Sequence, residues 1–90
     1  MSQAIVDPHE LRRFAHALDK FSNELQGQML VLRKQLIGLG NTWRDQEHDK
    51  FVAEFEDTLR TTSRFFEAAR EHVPFLLRKA DRVEDYLKQR

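Results

Sequence analysis

The sequence predicts an all-α fold: an antiparallel helical hairpin that dimerises into a four-helix bundle, with a helical C-terminal extension after a proline kink. Three features carry this expectation. Two long stretches repeat apolar residues at steps of three and four, a Gly/Asn cluster separates them, and a single proline falls late in the second stretch. Ninety residues, of which 40% are hydrophobic, close one core at most, so residues 1–90 form a single hairpin domain.

The first helix is expected over residues 8–39. Asp7-Pro8-His9-Glu10 supplies an N-cap, a proline at the first helical position and a glutamate placed to reach back to the cap. Leu11, Phe14, Leu18, Phe21, Leu25, Leu32, Leu36 and Leu39 then draw one apolar stripe, interrupted only by Gln28 and Gln35. Gly27 lies inside this helix at a cost of about 1 kcal/mol against alanine, which suggests close packing. Gly38-Leu39-Gly40-Asn41 tolerates left-handed backbone, the usual means of stopping a helix, and a turn over residues 40–44 follows.

The second helix is expected over residues 45–73. Phe51, Phe55, Thr58, Thr62, Phe65, Ala69 and Val73 form its main line, with Val52, Leu59 and Phe66 flanking. Two helices of such length joined by a short turn must lie antiparallel. Pro74 removes a backbone donor and is expected to kink or break the helix, leaving residues 75–90 as an extension. If Leu39 pairs with Asp45, Pro74 lies opposite Glu10. Phe75, Leu76, Leu77, Ala80, Val83, Tyr86 and Leu87 would then project beyond the first helix with nothing to cover them.

Both stripes are wider than the seam between two helices can bury. An oligomer interface is therefore expected at Phe51, Phe55, Leu59, Phe66, Phe75, Leu76 and Val83, with the chain pairing either with itself or with a paralogous hairpin. The alternative is a monomeric three-helix fold in which the segment after Pro74 doubles back.

Charge narrows the partners. Fifteen basic and fifteen acidic residues cancel, which disfavours nucleic acid, and no apolar run approaches the roughly 20 residues of a membrane span. The charge is uneven along the chain: acids exceed bases by two from Phe51 to Val73, and bases exceed acids by two from Phe75 to Arg90. Glu56/Arg60, Lys50/Glu54 and Glu84/Lys88 have the spacing of ordinary helix-surface pairs. Met1 to Val6 has neither the basic start nor the apolar stretch of a cleavable signal, so export would take another route.

Nothing points to catalysis or to a cofactor. There is no cysteine, and His9, His16, His48 and His72 include no pair at i,i+3 or i,i+4. Asp45-Gln46-Glu47-His48 offers one carboxylate-x-x-His unit where a di-iron bundle needs two near its middle. The chain is read as a non-enzyme with no metal site.

Trp43 is the only tryptophan, set in Gly40-Asn41-Thr42-Trp43-Arg44-Asp45 at the turn. Two long amphipathic helices with a tryptophan between them resemble the small WXG-motif, ESAT-like proteins of type VII secretion systems, as a divergent member. In place of Trp-x-Gly this chain has Trp43-Arg44-Asp45, with Asp45 suited to cap the second helix. In place of a C-terminal Tyr-x-x-x-Asp/Glu signal it ends Tyr86-Leu87-Lys88-Gln89-Arg90. The resemblance implies a dimeric four-helix bundle exported folded without a cleaved signal, as cargo, co-secreted partner or adaptor. It further implies a larger secreted effector or a secretion ATPase as partner, with Trp43, Arg44 and Asp45 as the turn motif and Tyr86 as a remnant signal. The competing expectation is a cytoplasmic helical chaperone or subunit that binds a helix of another protein.

Overall fold

The computed structural model describes residues 6–89. Two helices, α1 (Pro8–Gly38) and α2 (Gln46–Lys88), are joined by a 3-10 turn at Leu39–Asn41 and a short link. They pack on each other as a hairpin, and no strand occurs among the described residues. The molecule measures 68 × 23 × 16 Å, close to the length of α2 alone, about 65 Å at 1.5 Å per residue. Residues 1–5 and Arg90, on which the readings of the leading segment and part of the basic tail rest, lie outside the described residues.

Local chemistry sets the helix ends. Asp7 is extended and accepts a hydrogen bond from the His9 amide at 2.9 Å, with Pro8 at the first helical position. Glu10 does not complete the capping box. Its carboxylate takes the charged guanidinium of Arg13, one turn on, at 2.9 Å. Asp45 caps α2 as expected, accepting from the amides of Glu47 and His48 at 2.9 and 3.1 Å.

α1 does not stop by the left-handed route that its glycines allow: no described residue has positive φ. The helix tightens instead into the 3-10 turn, where the Leu39 carbonyl accepts from the amides of Thr42 and Trp43 at 3.0 and 2.7 Å. Gly40 serves packing instead: a Cβ there would lie 3.3 Å from His48 Cε1, so a larger residue would ask the imidazole to give by a few tenths of an ångström. Gly27, expected to pack closely, has nothing within 4 Å of its would-be Cβ.

α2 runs unbroken through Pro74, so the expected division of residues 45–73 from residues 75–90 is not seen. Pro74 and Arg70 both lie on the exposed side, where water can satisfy the carbonyl that the proline leaves without a donor. Packing on either side, with Ala69 and Ala80 buried, carries the helix across the gap.

The register also differs from the expected one. Leu39 shares a groove with Phe51 and Phe55 rather than pairing with Asp45, because the 3-10 turn and the link carry the chain past the end of α1 before α2 turns back. At the other end Arg12 reaches Asp81 and Glu84, both at 2.8 Å. Glu10 therefore lies well beyond Pro74, and α1 runs alongside the segment after the proline and covers one side of it: Ala80 is 0% exposed and Leu76, Leu77 and Val83 are half-buried, while Phe75, Tyr86 and Leu87 stay exposed. Doubling back is likewise not seen.

The intramolecular seam is offset from the α1 stripe, sharing Leu36 with it, and on α2 it follows the flanking line of Val52, Leu59 and Phe66. On α1 the buried residues are Pro8, Ala15, Ser22 and Leu36, whole heptads apart, with half-buried Met29 in the remaining place. On α2 they are His48, Phe66, Ala69 and Ala80, and half-buried Val52, Leu59 and Val73 continue the line of Phe66 and Ala80. Small side chains let the two helices approach closely. The prominent stripe of α1, from Leu11 to Leu39, is centred about a quarter turn round the helix from this seam.

Candidate functional site

That offset leaves the hairpin with two unlike faces beside its seam. On one, the stripes of both helices converge. Phe21 of α1 meets Phe65 of α2 edge-on with ring centroids 6.2 Å apart, and Leu32, Gln35, Leu36 and Leu39 share a groove of about 480 Å³ with Phe51 and Phe55. Much of this face is open: Phe14 is 58% exposed, Phe21 55% and Phe65 40%, with Leu32, Leu39 and Phe51 close to half exposed. It carries no Lys, Arg, Asp or Glu along the α1 stripe from Leu11 to Leu39, nor at Phe51, Phe55, Thr58, Thr62, Phe65, Ala69, His72 and Leu76 on α2, in a chain one-third charged. Thr58 and Thr62 are its polar positions on the turn half of α2. Their hydroxyls donate to the carbonyls of Glu54 and Thr58, at 3.2 and 2.8 Å, and ask little of a partner.

On the other face the helices are tied by charge. Arg33 Nε donates to Glu56 at 2.6 Å across the seam, and Arg12 bridges Asp81 and Glu84 near the chain termini. Glu84 also lies 3.5 Å from Lys88. The Arg12 hydrogen bond, then its charge, holds the Glu84 carboxyl below the usual glutamate range, while Glu84 and Asp81 raise the already high pKa of Arg12. Of the three expected helix-surface pairs, only Glu84/Lys88 forms. Glu56 is taken by Arg33, and Arg60 turns to Asp57.

The turn forms a compact cluster. Trp43 is half-buried, its ring edge-on to His48 at 4.9 Å and tilted against Phe51 at 6.3 Å. His48 is buried, and its Nε2 lies 3.0 Å from the Leu36 carbonyl near the end of α1, a bond that the ring makes as donor. Arg44 and Asp45 are exposed, Asp45 serving as cap. In the sequence His48 stood out only as part of the Asp45-Gln46-Glu47-His48 carboxylate-x-x-His unit, and its packing role was missed. Its signal was positional: it begins the seam line that continues through Val52, Phe55 and Leu59.

The expected interface residues separate by burial. Phe66 is 6% exposed and belongs to the intramolecular seam, which removes it from any surface. Phe55, Leu59, Leu76 and Val83 are half-buried, whereas Phe51 and Phe75 are exposed, as is Tyr86. Phe14, Phe21 and Phe65, absent from that expected set, are the exposed rings that the structure gathers on one face. Among the described residues, no group of three or more His, Asp or Glu is placed to hold a metal ion, and no helix is long and apolar enough to cross a membrane.

No family model matches the chain, and neither a curated protein nor a solved structure matches it.

Proposed function

We propose that this chain is a non-enzymatic association module: a helical hairpin that pairs with itself or with a paralogous hairpin and acts as small cargo, co-secreted partner or adaptor of a type VII-like secretion system. The observation behind this reading is the uncharged aromatic face. Twelve large apolar side chains stand at 40% exposure or more, and six of them, Phe14, Phe21, Leu32, Leu39, Phe51 and Phe65, gather on this one face, the kind of contiguous apolar patch that marks an interaction surface. Trp43, held at the turn by His48 and Phe51, supports the likeness to the WXG-motif proteins, and Tyr86, which the resemblance makes a remnant signal, is exposed. No cofactor enters this reading.

The test is export. Expressed beside a type VII secretion locus, the chain should reach the medium only while the secretion ATPase is active, and Trp43→Ala should hold it in the cell. Retention of the unaltered chain with a working ATPase would refute the secretion role. One feature favours the second reading, a cytoplasmic chaperone or subunit that grips a helix of another protein. The groove between Leu32, Leu36, Phe51 and Phe55 has the apolar lining that a helix-in-groove contact uses.

A further inference from the structure

Independent of the aromatic face and its association, a second patch lies on the outer side of α2. Phe75, Arg78, Lys79, Arg82 and Tyr86 fall within a sector of about 100° and along about 16 Å of the helix. That sector stands opposite the line of Phe66, Val73 and Ala80 that faces α1, and about a quarter turn from Phe65, so the aromatic face stays open when the patch is covered. Phe75 and Tyr86 are 49% and 66% exposed.

The fold itself strips this patch of counter-ions. Asp81 and Glu84, two of the acids between Phe75 and Arg90, are taken by Arg12 on the α1 side. The other, Asp85, sits at the edge of the sector and pairs with none of the three cations, nor does Glu71, one turn before Phe75. Among the described residues, Arg78, Lys79 and Arg82 are the only Lys or Arg without an ion pair that stand three or four positions from one another. Like charges at that spacing repel, whereas Glu10/Arg13 and Asp57/Arg60 show the balanced surface that the rest of the hairpin uses.

We infer that the patch docks on an anionic lipid surface, with Arg78, Lys79 and Arg82 over the headgroups and the rings of Phe75 and Tyr86 settling among them. Negative headgroups relieve the repulsion, and a ring at each end of the cations suits the headgroup level, where apolar bodies and polar tips are both accommodated. A convex ridge on one helix needs no matching cleft from a fluid surface, whereas a folded acidic partner would have to supply one. Three cations also fall short of the roughly 6–10 phosphate contacts from which strong DNA binding is built.

Flotation of the full chain with vesicles tests this. Phosphatidylcholine vesicles holding about 30% phosphatidylserine should bind it about 100-fold more tightly than phosphatidylcholine alone, about fivefold for each cation, and added salt should erase the difference. Arg78→Gln, Lys79→Gln and Arg82→Gln together should abolish that preference with helicity retained and the melting temperature slightly raised, because a repulsion is removed. Phe75→Ala and Tyr86→Ala should each weaken binding by about fivefold. Lys20→Gln with Lys34→Gln, which removes two cations from α1 that also lack ion pairs, should leave binding unchanged.

Equal binding to both kinds of vesicle would assign the membrane contact to the aromatic face and overturn the patch, as would no binding to either. A loss in the Lys20/Lys34 variant as large as in the triple variant would reduce the effect to general charge. Competition by millimolar inorganic phosphate would give the patch to a free anion. Tighter binding to polyglutamate or to single-stranded DNA than to the charged vesicles would give it to an acidic protein or a nucleic acid instead.

Discussion

The two faces beside the seam solve the same problem by opposite means. The face of Arg33–Glu56 and Arg12–Asp81/Glu84 holds the two helices of one chain in register and leaves its charged groups wet, so it contributes little net stability but much orientation. The face of Phe14, Phe21 and Phe65 carries large apolar area that the hairpin itself does not bury. The contrast teaches that a hairpin can set its internal register with ion pairs and small seam residues while leaving its aromatic rings uncovered, which is the face the proposed association would use.

The sharpest way to break this comparison lies in two neighbours, Phe65 and Phe66, whose rings touch at 5.8 Å yet belong to different surfaces. Phe66→Ala should cost the fold about 3–5 kcal/mol, a large share of any small domain's margin, because it empties the seam beside Leu59, Met29 and Arg33. Phe65→Ala should cost about 1 kcal/mol in chain stability, losing mainly its edge contacts with Phe21 and Phe66. Denaturant melts read by circular dichroism on both variants decide the matter. Equal losses would mean that the two faces are not distinct.

A smaller effect of opposite sign is expected at Gly27, which occupies open space in an exposed helical stretch. Gly27→Ala should stabilise the isolated chain by about 0.5–1 kcal/mol through helix propensity alone. Thermal melts at a dilution where the protein is monomeric would measure it. A loss of stability there would show that the glycine packs within its own hairpin after all.

The smallest effect belongs to the ion-paired face. Because Arg12 lowers the Glu84 carboxyl in the folded chain, the contribution of Glu84 is fully present above the ordinary glutamate range and is lost as pH falls through the lowered native value. The melting temperature of the unaltered chain should exceed that of Glu84→Gln at neutral pH, with the two converging in acid. Added salt should narrow the gap too, since these groups face water. A gap that persists in acid would assign the loss to packing instead of charge.

Both helices, the turn between them and both N-caps were legible from local signals. Asp7-Pro8 and Asp45 act on amides two or three residues away, and steps of three and four announce a helix wherever they run. The existence of a wide apolar surface was legible as well, because stripe width is a property of one helix. What one helix cannot reveal is the azimuth at which it meets the other. The stripes showed more apolar surface than a seam can bury but not which part of it would be the seam: the helices meet along Ala15, Ser22, Ala69 and Ala80, where small side chains let them settle, so Phe66 went inside and Phe14, Phe21 and Phe65 stayed out.

Register was hidden for a related reason. It depends on how far the 3-10 turn and the Trp43–His48 cluster carry the chain before α2 returns, and on where Arg12 finds carboxylates, none of which local spacing encodes. Pro74 completes the contrast. Its missing donor is a local fact that predicts a break, but the helix continues because the proline faces water while Ala69 and Ala80, on either side, are held against α1. Sequence alone determined which segments are helical and that they expose too much apolar surface; only the packing of one helix on the other decided which residues that surface contains.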